Sequence, residues 1–367
     1  VYKSFKKTNQ GFSFSYQLVK LHYSLANFCI RNFANLMGIK YHSDKKYKKI
    51  LIFRKAGLGD SFTSLPVIEA YQAKYPNAKF YILTLQNSRW QPQLSSVLNW
   101  NTEKVIFYKN WDIDTISKQL KEYNFDLFIE LSNYRSSLKF ELSSILLAYK
   151  SGITDGFGWS FSSSLFLKKW QGKSLSFDYD TYRLLKIHHF APFTDYEEIT
   201  SNFSKTKNVL FILSAGRDMN RWPIENWLQL ANDIKQLGCK ISILIGVKEK
   251  DYYDLASFYK LNIKVISANS LQESELIIRN SNFIVCHDTG IIHSKAAQEI
   301  NTIIIFSARA YLGMWHNSTR HQHIALQNDQ VDCAYCFRES CPYANKCIKL
   351  ITPNQVYLSF QSMMGKG

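Results

Sequence analysis

Acidic residues are scarce in this chain of 367: 29 Asp and Glu stand against 45 Lys and Arg, a formal charge of +16. That surplus points to a polyanionic partner: nucleic acid, an acidic membrane face or phosphorylated small molecules. No run is long and apolar enough to span a bilayer. No uncharged apolar core follows the first lysines, so no signal peptide is expected. No Gly-x-Gly-x-x-Gly fingerprint occurs, which removes the usual signal for a dinucleotide. Cysteines are few, and Cys29, Cys239 and Cys286 are scattered as buried thiols are. These absences fit a cytoplasmic protein.

What is present is apolar residue, 46% of the chain, enough for two cores over a length that suggests two domains. The charge is uneven. Residues 1–50 hold ten Lys and Arg and a single acid, Asp44. Within them Leu18, Leu21, Leu25, Phe28, Cys29, Phe33 and Leu36 recur at helical spacing. Residues 1–48 therefore read as a basic amphipathic arm. It either docks on an anionic inner-membrane surface or packs on its own domain.

From Ile50 strands and helices alternate in the βαβ manner of parallel sheets. Strands are expected at Ile50–Arg54, Ala78–Thr84, Lys104–Tyr108 and Asp126–Leu131, with helices between. After an irregular stretch the alternation restarts at Asn208–Leu213. Further strands are expected at Lys240–Gly246, Lys264–Ala268, Phe283–Cys286 and Thr302–Ser307. This divides the chain into an arm (1–48), two Rossmann-like domains (49–200 and 201–351) and a last helix (352–367). A ligand would lie in the cleft between the sheets.

Three loops at strand ends could carry chemistry. Phe283–Cys286 runs into Asp288-Thr-Gly290, and a helix over Ile291–Gln298 is expected next, with Thr289 as its cap. Its N-terminal N–H groups would suit a phosphorylated ligand, with Asp288 and His293 supplying polar side chains. Asp60, after Gly57 and Gly59, sits at a helix start. It either caps that helix or takes a proton from a substrate hydroxyl. The loop from Ser214 through Gly216, Arg217, Asn220 and Arg221 to Trp222-Pro223 is either a solvated basic loop or a diphosphate clamp. Near the C-terminus, Cys333, Cys336, Cys341 and Cys347 either hold a structural zinc or iron, or are reduced thiols packed in a loop, or form disulfides only on oxidation. The many Phe, Tyr and Trp fall in strands and on helix stripes, so they read as core and not as a nucleic-acid surface.

Gly-Leu-Gly-Asp60, the Ser-Ala-Gly-Arg…Asn-Arg-Trp-Pro223 loop, Asp-Thr-Gly-x-x-His293 and the Cys-rich segment occur in the order seen in the family 9 glycosyltransferases. The chain resembles that family, which includes the ADP-heptose:lipopolysaccharide heptosyltransferases. The resemblance implies an α/β GT-B fold, two Rossmann-like domains facing an interdomain cleft, and inverting, metal-independent transfer with no cofactor required for catalysis. It implies Asp60 as general base. Donor binding would fall to Ser214, Gly216, Arg217, Asn220, Arg221, Glu249, Asp288, Thr289, Gly290 and His293, with His293 as a support. The implied partners are a nucleotide-diphosphate sugar such as ADP-heptose and a lipid-linked or surface glycan. The sequence departs from the family at two places. Asn220 stands where a Lys is usual, and Ala308-Arg-Ala-Tyr-Leu-Gly313 has fewer glycines than expected. A GT-B nucleotide-sugar epimerase or hydrolase, a heptosyltransferase acting on protein, and an inactive nucleic-acid- or membrane-binding module are the alternatives.

Overall fold

The computed structural model describes residues 14–55, 57–85, 102–134, 136–161, 179–191, 207–246, 255–317 and 322–365. The first half runs α1 (Phe14–Leu36), β1 (Lys49–Phe53), α2 (Leu58–Lys74), β2 (Lys79–Leu85), β3 (Thr102–Tyr108), α3 (Ile113–Lys121), β4 (Leu127–Glu130), α4 (Leu138–Lys150), β5 (Gly156–Phe157) and α5 (Asp180–Ile187). The second runs β6 (Asn208–Ile212), α6 (Ile224–Gln236), β7 (Lys240–Ile245), α7 (Ala256–Lys260), β8 (Lys264–Ser267), α8 (Leu271–Arg279), β9 (Phe283–His287), α9 (Lys295–Gln298), β10 (Asn301–Phe306), β11 (His323–Gln327), α10 (Lys346–Lys349) and α11 (Pro353–Met364).

The two sheets have orders β3-β2-β1-β4-β5 and β11-β10-β9-β6-β7-β8. Both are parallel throughout. Each order reverses once, between β1 and β4 in the first sheet and between β6 and β9 in the second. Loops leaving those strands flank a crevice at the carboxyl edge, where doubly wound folds bind ligands. Asp60, Arg217 and Asp288 follow β1, β6 and β9, so the topology gathers them.

Burial on both faces explains the continuous apolar runs. In β1, Leu51 and Phe53 pack with residues of α1, α3 and α4, while Ile50 and Ile52 pack with α2 and α5. In β6, Val209 and Phe211 meet α6 and α11, whereas Leu210 and Ile212 meet α8 and α9. Caps place the helices: the Ser270 hydroxyl accepts the Glu273 amide, and Thr352 and Gln355 form a capping box beside Pro353. The arm from Phe14 is not separate. Ala26 and Ile30 of α1 enter the core of the first domain.

Three expectations change. The helix after β1 begins at Leu58, so Asp60 lies in its first turn. The helix expected over Ile291–Gln298 is a 3-10 turn, Gly290–His293, followed by the short α9. Thr289 makes no side-chain cap; Ser294 takes that role, its extended backbone breaking the helix while its hydroxyl accepts the Ala297 amide. The edge strand β11, parallel to β10, was not foreseen.

Candidate active site

Asp60 is held where two forces oppose. Its Oδ2 accepts the Gly57 amide at 3.0 Å, and its Oδ1 lies 3.7 Å from the Arg54 guanidinium. Burial raises its pKa, with Arg54 pulling down and Asp180 pushing up. The local sequence produces this, because Gly57 has no side chain and its free amide meets the first-turn carboxylate, as in a capping box.

Behind Asp60 lies a buried ion cluster. Arg54 donates to the carbonyls of Leu131 and Ser132 and to Asp180 Oδ2 at 2.7 Å. Asp180 also accepts from Thr63 at 2.8 Å and from Arg183 Nε at 3.0 Å. Burial would raise the Asp180 pKa, but Arg183 and Arg54 outweigh it and hold the carboxyl below its ordinary value. The cluster thus keeps one fixed anion beside Asp60.

The Asp288-Thr-Gly290 turn abuts this loop directly. A Cβ on Gly290 would meet the Gly59 nitrogen at 2.8 Å and Leu58 Cβ at 2.9 Å, so glycine alone permits the contact. Phe62 of α2 packs among Ile291 and Ile292, and the Tyr179 hydroxyl bonds His293 Nδ1 at 2.9 Å. Burial lowers the His293 pKa to about 4, so the ring is neutral and supports the contact. Burial pushes Asp288 up to about 6 against the pull of Arg309 and Arg217, with Asp60 adding to the rise. Two carboxylates from opposite halves therefore sense each other across one gap.

Beyond Asp288 is a small cavity lined by Asn220, Ser307, Arg309, Tyr311 and Trp315. The Ser307 hydroxyl donates to Asn220 Oδ1 at 2.6 Å. Arg217 and Arg309 both pair with Glu339. Arg221 turns instead to Asp218 at 3.3 Å. Ser214 accepts the Gly246 amide, and among the described residues no atom lies within 4 Å of where a Gly216 Cβ would stand. His287 fixes the loop: its Nε2 accepts the Trp222 amide at 2.8 Å, and Nδ1 faces the Leu213 carbonyl at 3.2 Å.

The structure thus brings Asp60, Asp288, Gly290 and His293 together, with Arg217 and Asn220 beyond them. Glu249 lies outside the described residues. The expected helix N-terminus behind Asp288 is only a 3-10 turn, Gly290–His293. All four C-terminal cysteines are free, and among the described residues no group of three or more His, Cys, Asp or Glu side chains could hold a metal ion. The segment packs Cys347 against Ala308, beneath the Arg309 loop.

Sequence reasoning missed Arg54, Tyr179, Asp180, Arg309 and Glu339. Arg54 and Arg309 had a signal, since each is a charged residue shortly beyond a buried strand of a doubly wound sheet, Arg54 directly after β1 and Arg309 three residues after β10. Tyr179, Asp180 and Glu339 had none, because their partners are distant in sequence.

Two facing Rossmann-like sheets with polar loops meeting at their switch points define a GT-B fold. Solved structures share it. A family 9 glycosyltransferase from Veillonella parvula DSM 2008 aligns at TM-score 0.59 and 16% identity, over 88% of this chain and 98% of that one. E. coli ADP-heptose LPS heptosyltransferase II aligns at TM-score 0.57 and 13% identity, over 87% and 99%. The E. coli enzyme TibC, described as an iron-containing dodecameric glycosyltransferase, aligns at TM-score 0.51 and 11% identity, over 89% and 78%. At these identities the likeness concerns the fold. No curated protein matches the sequence. Residues 177–347 match the sequence model of glycosyltransferase family 9 (heptosyltransferase).

Proposed function

We propose that the protein is an inverting glycosyltransferase that moves a sugar, heptose from ADP-heptose, onto a lipopolysaccharide core or related surface glycan. Asp60 takes the acceptor hydroxyl proton as that oxygen attacks the anomeric carbon. The nucleoside diphosphate departs from the opposite face, and Arg217 and Arg309 offset its charge. Asp288 and Gly290 receive the donor sugar. No metal takes part in the transfer.

The observation that carries this reading is the contact of Gly59 with Gly290, which sets Asp60 beside the Asp288 turn at the edge of a cavity lined by Arg309. The choice of donor is supported by solved relatives of the same fold, E. coli WaaC with ADP and with ADP-2-deoxy-2-fluoro heptose.

The arm completes the proposal. Leu21, Leu25, Phe28 and Leu36 of α1 are exposed, while Ala26 and Ile30 are buried against the domain. With the basic residues around it, the exposed stripe would rest on an anionic inner-membrane surface and bring the cleft to a lipid-linked acceptor. No described helix is long and apolar enough to cross a membrane. Flotation with phosphatidylglycerol vesicles checks this: Phe28→Glu should lower the bound fraction.

The main test is a thermal-shift panel of nucleoside diphosphates and their sugars with ADP-heptose included, since a ligand at a hundred times its Kd stabilises by about 2.7 kcal/mol. A panel without any shift removes the donor reading. Rapid consumption of donor with no acceptor present replaces transfer by hydrolysis or epimerisation.

A further inference from the structure

Glu339 stands between two arginines that come from separate loops. Arg217, after β6, donates from Nε to Glu339 Oε2 at 2.9 Å. Arg309, after β10, donates from Nη2 to Glu339 Oε1 at 3.2 Å. One carboxylate thus accepts from two guanidiniums, as a phosphate group does when it is clamped. The two cations act on Asp288 beside the same cavity, so the bridge lies at the place where the donor anion is expected.

We propose that Glu339 is a built-in anion that occupies Arg217 and Arg309 until a diphosphate displaces it. This rests on the donor reading above and adds a residue that tunes donor affinity. Three observations favour displacement over a scaffolding role. The Glu339 side chain is 64% exposed, so it can swing into water with little desolvation cost. Arg309 does not depend on it for orientation, because its Nε donates to the Arg338 carbonyl and its side chain is 9% exposed. The backbone beneath is pinned separately, Phe337 N–H to the Arg309 carbonyl at 3.0 Å and Tyr335 N–H to that of Ala308 at 2.6 Å. The carboxylate therefore neutralises the clamp more than it builds it. Because Glu339 lies between Cys336 and Cys341, the Cys-rich segment sets how strongly the clamp is blocked.

The test is titration calorimetry of inorganic pyrophosphate and of ADP against wild type, Glu339→Gln, Glu339→Asp and Glu339→Gln/Arg217→Ala. Exposed ion pairs are individually weak, so displacing two sets the gain for Glu339→Gln at about three- to tenfold tighter binding. Glu339→Asp keeps the anion and should fall back toward wild type. Adding Arg217→Ala should cut the gain to the share owed to the remaining Arg309 contact, since Arg217 and Glu339 act through a shared pair. Unchanged or weaker binding by Glu339→Gln overturns the displacement while leaving the donor reading in place. Failure of every variant to bind either ligand overturns both.

Discussion

The substitution Asp60→Asn separates catalysis from stability with opposite signs. An Asn oxygen can still accept the Gly57 amide that Asp60 accepts at 3.0 Å, and the side-chain volume is unchanged. A positioned general base contributes about a hundredfold to ten-thousandfold, so transfer should fall by that factor while donor affinity holds. Stability should move the other way. The folded pKa of Asp60 is raised, by burial first, so its contribution to stability is present at low pH and lost as pH rises through the folded value. Above it the ionised carboxylate is a net cost to the folded state, and the Asn variant should melt no lower than wild type at pH 8. In the wild type the acidic limb of the rate profile should lie above the ordinary aspartate value, and in the variant the part owed to Asp60 should vanish. The assay is initial-rate transfer across pH 4–9 beside thermal melts at pH 8. Turnover within tenfold of wild type would refute the role of Asp60, and a large drop in melting temperature would refute the account of its burial.

Other outcomes follow from the same geometry. Gly290→Ala should cut transfer more than tenfold yet leave the domains folded, because its methyl meets Gly59 and Leu58 under 3.0 Å and forces the halves apart, an overpacking cost of about 1–3 kcal/mol; unfolding curves beside rates will show it. Asp180→Asn leaves Arg54 and Arg183 without their shared buried anion and should cost about 3–5 kcal/mol in denaturant melts. The Asp180 contribution is present above the unfolded carboxylate pKa, since its folded pKa is lowered, and fades as pH falls through the folded value. Tyr179→Phe strands the buried Nδ1 of His293, a cost of about 1–3 kcal/mol that should appear as lower stability and weaker domain closure in scattering. Chelation with EDTA should leave the transfer rate unchanged; its loss would overturn metal-independent transfer.

Much of this molecule follows from its local chemistry. Runs such as Ile50–Phe53 and Phe283–Cys286 are of the kind that strands buried on both faces need, and within βαβ alternation the short loops after them reach the carboxyl edge of a parallel sheet. The order of motifs then fixes which loops carry Asp60, Arg217 and Asp288. What the order cannot supply is pairing over distance. The anion beside Arg54 is Asp180, 126 positions away, and the carboxylate shared by Arg217 and Arg309 comes from a segment read only for its cysteines. The helix after Asp288 breaks because Ser294 finds a better partner in the Ala297 amide, a competition that apolar spacing does not register. Residue pattern sets the elements because periodicity and turn preference act over a few positions. Charge balance in the cleft is set by tertiary contact, because Coulomb forces in a buried site depend on distances that only folding defines.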